Sequence, residues 1–200
     1  MGGMVTTNDP ELWSRMWSYK DHGRSYDAVY NREHPPGFRW LHESFGTNWR
    51  MTEMQAVIGR IQLQRRPQWH EQRLANCKAI WRTARECPGL RAPEVPADIE
   101  HAGYKCYVFL EPNQLAPGWD RDAIQHAIME RGVPCMSGSC SEVYREKNFQ
   151  DADLAPASRL PVARELGDTS LMFLCHPTLT EAEIGKTCDV LVEVMQAAAG

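Results

Sequence analysis

Apolar positions recur at helical spacing along two segments in the first half of the chain. The first segment predicts a helix over residues 10–20, because Asp9-Pro10 provides a cap with proline at the first helical position. Its apolar positions are Leu12, Trp13, Met16, Trp17 and Tyr19. Residues 2–7 predict a short strand or the end of one. Residues 24–47 have no clear period, and they predict a long ordered loop of the kind that is usually functional or packed on something.

The second segment begins with a capping box, Thr52-Glu53-Met54-Gln55, whose side chains can satisfy free backbone groups at a helix start. Its apolar stripe consists of Met54, Val57, Ile58 and Ile61. Pro67 interrupts the pattern, which resumes over residues 68–86 and ends before Pro88-Gly89. We therefore predict a long, bent helical connector with a domain boundary after residue 87.

Residues 1–87 cannot close a hydrophobic core with this inventory of one strand end, one helix, a loop and a long helix. The sequence therefore indicates that the chain begins in the middle of a larger fold. We expect an exposed apolar face or an extensive dimer, in which Trp13, Trp17, Met54 and Ile58 would normally lie against the missing half or the other subunit.

The second half of the chain alternates between short apolar runs and amphipathic segments. Strands are predicted at residues 104–110, 133–136 and 171–174, and a helix at residues 120–130. A second capping box at Thr180 begins a final helix. Residues 88–200 therefore predict a small α+β domain, with helices packed on a sheet.

Composition excludes several classes of function. The net charge of −4 and the pI near 6.0 argue against a nucleic-acid surface, which needs an excess of positive charge. No apolar run approaches the length of a membrane span, and the first eight residues lack a signal-peptide pattern. The seven cysteines are odd in number and form no C-x-x-C pair, which favours a reducing cytoplasm over a disulfide framework or a zinc site.

Six short motifs then appear in an order that resembles the DegT/DnrJ/EryC1/StrS sugar aminotransferases. They are Gly2-Gly3-Met4-Val5-Thr6-Thr7-Asn8-Asp9, Asp21-His22-Gly23, Gly46-x-Asn48-x-Arg50-Met51-Thr52, residues 120–132, residues 160–166, and His176-Pro177-x-Leu179-Thr180. The resemblance runs the length of the chain. It implies an α/β protein: the end of a fold type I large domain that binds pyridoxal phosphate, followed by the small C-terminal α+β domain.

The same resemblance implies a function. Family members transfer an amino group, usually from glutamate, onto a keto sugar carried on a nucleotide, in the synthesis of surface polysaccharide sugars. The complete enzyme would be a cytoplasmic homodimer. In the family the lysine that forms a Schiff base with the cofactor precedes the Gly-Gly-Met stretch. Lys20 and Lys78 fall within helical patterns and are not assigned to that role. The resemblance therefore places no catalytic residue in this chain, which is expected to be inactive alone, with no covalently bound cofactor.

Asn48 is the candidate cofactor-binding residue. The family asparagine that it matches reaches across the dimer interface to the phosphate of the pyridoxal phosphate bound by the other subunit. Arg50 could add a charged contact to a phosphate or carboxylate. The alternatives are a loop asparagine that bonds its own backbone and an arginine in a surface or interface salt bridge. Thr47 replaces the aromatic residue that the family commonly has before the asparagine.

Two further substrate candidates lie in the second half of the chain. Gly138 and Ser139 occupy the place where many family members carry a His-Tyr pair near the sugar, so the contact could come from Ser139 or from Glu142. His176 could face the substrate, or it could be a partly buried structural histidine at the end of a strand. Among the tryptophans, only Trp40 is considered further as a platform for a sugar.

Other functions remain open from the sequence. The alternatives to the aminotransferase are a non-enzymatic dimerising or regulatory remnant and a stand-alone nucleotide-sugar-binding module. A nucleophilic thiol at Cys135 or Cys140 is not favoured, because no acid or histidine lies nearby in sequence to activate it. The spacing of His34, His42 and Glu43 matches no standard metal site.

Overall fold

The computed structural model of the chain describes residues 3–37 and 39–199. The chain divides into two compact units between Arg66 and Pro67. The division falls there because the part of the long helix that follows Pro67 contributes its buried residues to the C-terminal unit. The apolar ones are Cys77, Ile80, Trp81 and Ala84. The domain boundary expected after residue 87 stays a prediction.

The N-terminal unit contains helix α1 (Pro10–Lys20), helix α2 (Tyr26–Tyr30) and the first part of helix α3 (Glu53–Glu86). Helix α1 has the predicted bounds, and its cap, Asp9, accepts hydrogen bonds from the backbone amides of Glu11 and Leu12. Helix α2 interrupts the stretch that was predicted to be a loop. Residues 3–7 form no strand, and Gly2 lies outside the described residues.

Helix α3 is one continuous helix that passes through Pro67, rather than two stretches interrupted there. Proline has no backbone N–H to donate, so one intrahelical hydrogen bond is absent at this point. The predicted capping box at its start is confirmed: the amide of Thr52 donates to Gln55 Oε1 (3.0 Å), and the amide of Gln55 donates to Thr52 Oγ1 (3.4 Å).

The N-terminal unit has almost no hydrophobic core of its own. Among its described residues, the buried apolar ones are Ala28 and Leu41. Many large apolar side chains are instead exposed, including Met4, Val5, Trp13, Tyr30, Trp49, Met54, Val57 and Ile58. The prediction that no core closes was made for residues 1–87, whose last part contributes to the core of the C-terminal unit, so it stays a prediction for that range. An exposed apolar face of this kind marks a surface that is normally covered.

The C-terminal unit is a four-stranded antiparallel sheet with helices packed against it. Its strands are β1 (Leu90–Arg91), β2 (Cys106–Leu110), β3 (Cys135–Met136) and β4 (Ser170–Phe173), in the order β1-β2-β4-β3. Its further helices are α4 (Arg121–Glu130), α5 (Lys147–Asp151), α6 (Pro161–Thr169) and α7 (Glu181–Ala198). The capping box predicted at Thr180 is present.

A single core holds this unit together. Alternate residues of β2 point into it, and the buried positions of α4 and α7 pack on the same side. Its fully buried members include Ile80, Val108, Ile124, Ile128, Leu171, Phe173, Leu191 and Met195. Five of the seven cysteines are buried, where a free cysteine packs as a small hydrophobic residue. Across residues 3–37 and 39–199, none of the helices has the length and hydrophobicity that a membrane crossing needs.

Candidate functional site

The backbone around Asn48 is fixed against the C-terminal end of α1. Asn48 forms an isolated antiparallel bridge with Asp21, the C-cap residue of that helix. Three backbone hydrogen bonds flank the bridge: His22 N to Thr47 O (3.0 Å), Thr47 N to Tyr19 O (2.7 Å) and Trp49 N to Lys20 O (2.9 Å). This pairing determines the direction in which the Asn48 side chain leaves the chain.

Two glycines allow this close approach. Gly23 has a φ of +85°, which favours glycine, and a Cβ atom there would overlap the carbonyl oxygen of Ser44. A Cβ atom at Gly46 would overlap the backbone nitrogen of Gly23 and lie 2.7 Å from the carbonyl oxygen of Tyr19. The glycines of the two motifs, Asp21-His22-Gly23 and Gly46-x-Asn48, therefore bring the two segments into contact.

The side chain of Asn48 is exposed, and the oxygen and the NH₂ group of its carboxamide have different environments. Its Oδ1 accepts hydrogen bonds from the backbone nitrogen (3.4 Å) and from Nε (3.2 Å) of Arg50. Since both of these groups only donate, the carboxamide oxygen must face Arg50 and the NH₂ group must face away. Within residues 3–37 and 39–199, no acceptor lies within hydrogen-bond distance of Asn48 Nδ2.

Arg50 is held by Asp21 as well as by Asn48. Its Nε lies 3.1 Å from Asp21 Oδ1, and one terminal nitrogen lies 3.4 Å from His22 Nε2. The guanidinium remains about half exposed, with 48% of the side chain accessible. The structure therefore brings Asn48 and Arg50 together, and the salt bridge considered for Arg50 forms within its own turn.

Asp21 is the residue of this group to which the sequence assigned no role. It is buried, and its Oδ1 also accepts a hydrogen bond from Arg24, whose terminal nitrogen lies 2.7 Å away. Burial raises the pKa of the Asp21 carboxyl. The hydrogen bond and charge of Arg24 and the charges of Arg50 and Lys20 lower it by more, so the pKa lies below its ordinary value. The carboxylate is therefore charged at neutral pH. The spacing of Asp21 and Arg24 could have indicated their pairing, whereas nothing in the sequence indicated that Asp21 pairs with Arg50.

A large cavity of about 1060 Å³ lies beside this turn in the N-terminal unit. Its lining includes Trp13, Trp17, Trp49, Arg50, Met51 and Gln55. Arg50 is therefore shared between the Asn48 turn and a mainly aromatic and aliphatic surface. Such a surface suits contact with another folded segment better than contact with a free sugar.

Ser139 lies in the C-terminal unit, at the edge of a polar pocket of about 450 Å³. Its Oγ accepts a hydrogen bond from Lys105 Nζ (2.9 Å), and its backbone nitrogen donates to the hydroxyl of Tyr107 (3.1 Å). A Cβ atom at Gly138 would overlap the Tyr107 ring, so this ring occupies the space that a side chain at position 138 would need. The pocket contains serine hydroxyls together with charges of both signs.

Glu142, which also lines this pocket, is bound to its neighbours. Its carboxylate accepts hydrogen bonds from Arg159 Nε (2.9 Å) and from the hydroxyl of Tyr144 (2.6 Å). The hydrogen bond from Arg159, followed by that from Tyr144, lowers the pKa of Glu142 to about 2. Glu142 is therefore a charged structural acceptor near neutral pH rather than a group ready to exchange a proton.

His176 is exposed rather than partly buried, and it lies after β4. Its Nδ1 lies 2.7 Å from Thr178 Oγ1 and accepts a hydrogen bond from the backbone nitrogen of Thr178 (3.3 Å). Its carbonyl accepts a hydrogen bond from Asn76 Nδ2 (3.1 Å). These contacts keep His176 in its own loop and leave Nε2 accessible.

The remaining sequence candidates gain little from the structure. Trp40 is exposed, with a φ of +64°, and no aromatic contact to it occurs in the described part of the chain. Burial raises the pKa of Cys135 to about 12, which makes it a poor nucleophile at neutral pH. The described residues contain no cluster of three or more His, Cys, Asp or Glu side chains with the arrangement of a metal site.

Comparison with known proteins identifies a family. Residues 1–192 match the model of the DegT/DnrJ/EryC1/StrS aminotransferase family. The solved structure of an aminotransferase from Psychrobacter cryohalolentis is similar over 96% of this chain and 51% of that chain, with 52% identity and a TM-score of 0.87. Two curated relatives are similar at lower identity. A dTDP-3-amino-3,4,6-trideoxy-alpha-D-glucose transaminase from Streptomyces venezuelae is 24% identical over 96% of this chain and 45% of its own length. A UDP-N-acetyl-3-dehydro-alpha-D-glucosamine 3-aminotransferase from Acidithiobacillus ferrooxidans is 26% identical over 95% of this chain and 45% of its own length.

The chain thus spans about half the length of the relatives that it matches. Over this length the chain matches the fold of fold type I aminotransferases. The predicted fold class and the resemblance to this family are both confirmed.

Proposed function

Because the chain belongs to the DegT/DnrJ/EryC1/StrS aminotransferase family, we propose that it is the C-terminal portion of a pyridoxal-phosphate-dependent nucleotide-sugar aminotransferase. The complete enzyme would transfer an amino group from a donor such as glutamate onto a keto sugar. The two relatives named for amino transfer on dTDP-linked and UDP-linked sugars support this substrate class.

The outward-facing carboxamide of Asn48 is the observation that carries this proposal. A phosphate group needs hydrogen-bond donors, and Asn48 presents two N–H groups without an acceptor among the described residues. The guanidinium of Arg50 and the start of α3 after Thr52 add favourable positive potential nearby. These donors fit the phosphate of pyridoxal phosphate.

In the complete enzyme, this phosphate would belong to the cofactor of the other subunit of a homodimer. The role of this chain is then to bind and orient the cofactor of its partner through Asn48. The exposed apolar side chains beside the turn would exclude water once they are covered. The bound cofactor supplies an aldehyde that can take up the amino group and a ring that stores electrons during proton transfer.

We also propose that the chain is inactive when it is alone. The lysine that anchors the cofactor would come from the sequence that corresponds to the other half of the relatives. Lys20 is a poor substitute, because its Nζ lies 4.5 Å from the centre of the Trp17 ring at the end of α1. The test is to add pyridoxal phosphate to the chain and then borohydride. An absorbance band in the near-visible range, together with cofactor fixed to a lysine after the borohydride step, would overturn this point.

On the substrate side, we propose that Ser139 and His176 contact the nucleotide sugar. The polar pocket beside Ser139 offers hydroxyl and charged groups that match sugar hydroxyls. His176 retains an accessible Nε2, because Thr178 engages only Nδ1. Arg50 is no longer the first candidate for a substrate contact, since Asp21 and Asn48 already bind its Nε.

A chimeric enzyme tests the cofactor role directly. The N-terminal half of the Psychrobacter aminotransferase would be fused to this chain, which is 52% identical to the half that it replaces. We expect the chimera to bind pyridoxal phosphate and Asn48→Ala to weaken binding about 10- to 100-fold, the loss of a hydrogen bond to a charged group. Asn113→Ala, at an exposed position in another unit, is the matched control.

The alternatives predict different outcomes from the same protein. A nucleotide-sugar-binding module would bind nucleotide sugars calorimetrically without the N-terminal half. A dimerising or regulatory remnant would be stable and dimeric alone, and its fusion would not bind pyridoxal phosphate. Equal cofactor affinity in the Asn48→Ala chimera and in the unsubstituted chimera would contradict the phosphate role.

A further inference from the structure

The orientation of the Asn48 carboxamide depends on residues that do not themselves reach its exposed face. We propose that Arg50, anchored on the buried carboxylate of Asp21, is a positioning residue that holds the Asn48 oxygen inward and its NH₂ group outward. The geometry gives Arg50 this role in place of direct contact with the anion. The inference rests on the proposed function only for the identity of that anion.

The first step of the argument is the anchor. Asp21 cannot move freely, because it is buried at the end of α1 and pairs with Asn48 through the backbone. Its Oδ1 lies 2.7 Å from Nη2 of Arg24 and 3.1 Å from Nε of Arg50. A buried carboxylate with two guanidinium partners is held in place, because moving it would break both ion pairs.

The second step is the bridge. Arg50 Nε lies between two oxygens, 3.1 Å from Asp21 Oδ1 and 3.2 Å from Asn48 Oδ1. The backbone nitrogen of Arg50 lies 3.4 Å from the same Asn48 oxygen. Both contacts favour the amide orientation in which Oδ1 points at Arg50, since a flipped amide would direct its own N–H groups at these donors.

The third step concerns the groups that the Asn48 turn presents to a bound anion. With its oxygen turned inward, Asn48 presents only donors to an incoming anion. With the amide flipped, it would present lone pairs to a negative charge. The guanidinium of Arg50, which is about half exposed, also adds positive charge beside the carboxamide. The arrangement therefore favours an anion without placing a charged side chain against it.

The size of the expected effect separates positioning from direct contact. Releasing the Asn48 side chain makes up to three χ1 rotamers and two amide orientations available, so the productive one would be populated roughly sixfold less. Loss of a direct charge-assisted contact would weaken anion binding more, by about 10- to 100-fold. Arg50→Lys keeps the positive charge and removes the planar Nε donor, so it isolates the positioning role.

The test uses the full chain in solution and the side-chain ¹⁵NH₂ group of Asn48, identified in NMR spectra by its absence from Asn48→Asp. In the unsubstituted chain, we expect an order parameter above about 0.8 for this group, and in Arg50→Lys one below about 0.6. Arg60→Lys, the same substitution at an exposed position on α3, should leave it unchanged. The buried Asn76 amide, which bonds His176 O, reports any global loss of structure.

Two outcomes of the NMR measurement would overturn the inference. One is an Asn48 amide that is mobile in the unsubstituted chain, and the other is one that stays equally ordered in Arg50→Lys. In the chimera, a loss of cofactor affinity of up to about sixfold in Arg50→Lys supports positioning. A loss of tenfold or more would assign Arg50 to the anion instead. A chimera that binds no pyridoxal phosphate counts against the proposed function, and the amide measurements then decide the positioning role.

Discussion

Replacing Asp21 by asparagine should open the Asn48 turn. This carboxylate and its Arg24 partner are both buried, with side-chain accessibilities of 7% and 8%. Breaking a buried ion pair by removing one partner costs about 3–5 kcal/mol. Asp21→Asn leaves two guanidinium groups without their carboxylate, so we expect the loss to lie in this range.

Amide hydrogen exchange measures this loss at the turn itself. The relevant groups are the backbone amides of His22, Thr47 and Trp49, each of which donates across the turn. A loss of about 3 kcal/mol in opening free energy corresponds to more than hundredfold faster exchange. The matched control is Asp27→Asn, because Asp27 pairs with Arg32 on the surface at 61% exposure. Its pair is worth about 0–1 kcal/mol, so the control should change exchange less than about fivefold.

The same turn should respond to acid in one direction. Burial raises the pKa of Asp21, but the contributions of Arg24, Arg50 and Lys20 outweigh it and lower the pKa below its ordinary value of 3.8. The stabilisation is therefore fully present above about pH 3.8 and is lost as the pH falls through the lower pKa of the folded state. Asp21→Asn should lack this part of the acid dependence. Exchange within fivefold of the unsubstituted chain in Asp21→Asn would refute the assignment of Asp21 as the anchor.

Two further predictions concern packing and accessibility. Gly46→Ala should lower the free energy of unfolding by more than about 1 kcal/mol, because its Cβ would overlap backbone atoms. Gly59→Ala on α3 places its Cβ in open space, so it should raise the free energy of unfolding by about 0.5–1 kcal/mol. Chemical denaturation of both variants measures the difference, and equal effects would contradict the close approach at Gly46. A thiol reagent should modify one cysteine rapidly in the native chain, the exposed Cys140, and Cys140→Ser should abolish that fast phase. Fast modification of Cys135, whose pKa is raised to about 12 by burial, would contradict its place in the core.

The elements that the sequence predicted well are those specified by neighbouring residues. Asp9, Thr52 and Thr180 cap helices within three residues of themselves, so local chemistry is sufficient to locate these helix starts. The strand expected near the start of the chain needs a partner strand, and residues 3–7 have none among the described residues. Helix α2 was missed because it is only five residues long, although Ser25 caps it through the amide of Ala28.

The residues of the candidate site stay predictions, but their arrangement shows what the sequence could not reveal. The motif made Asn48 the candidate residue, and its side chain is exposed in the structure. The pairing of Asp21 with Arg50 joins residues far apart in sequence, through a turn whose shape depends on Gly23 and Gly46. No local pattern encodes such a contact, so only the folded structure shows how the Asn48 amide is oriented.

The central claim is that Asn48 of this chain binds the phosphate of the cofactor held by the other subunit. Hybrid dimers of the chimera test this claim most directly. One chimera would carry Asn48→Asp, which places a carboxylate near the phosphate. Two unit charges about 4 Å apart repel by about 4 kcal/mol at an effective dielectric constant of about 20, so this variant should lose cofactor binding and activity. The other chimera would keep Asn48 and lack the cofactor-anchoring lysine of the Psychrobacter half.

Each variant alone should be inactive, and mixed subunits decide between donation to the partner and action within one subunit. If Asn48 acts across the interface, a hybrid dimer contains one intact site, formed by the lysine of one subunit and Asn48 of the other. We therefore predict that co-expression restores cofactor binding and amino transfer at up to one site per hybrid dimer. Hybrid dimers that form but bind no pyridoxal phosphate would contradict the claim, because every lysine would then depend on the aspartate of its own subunit.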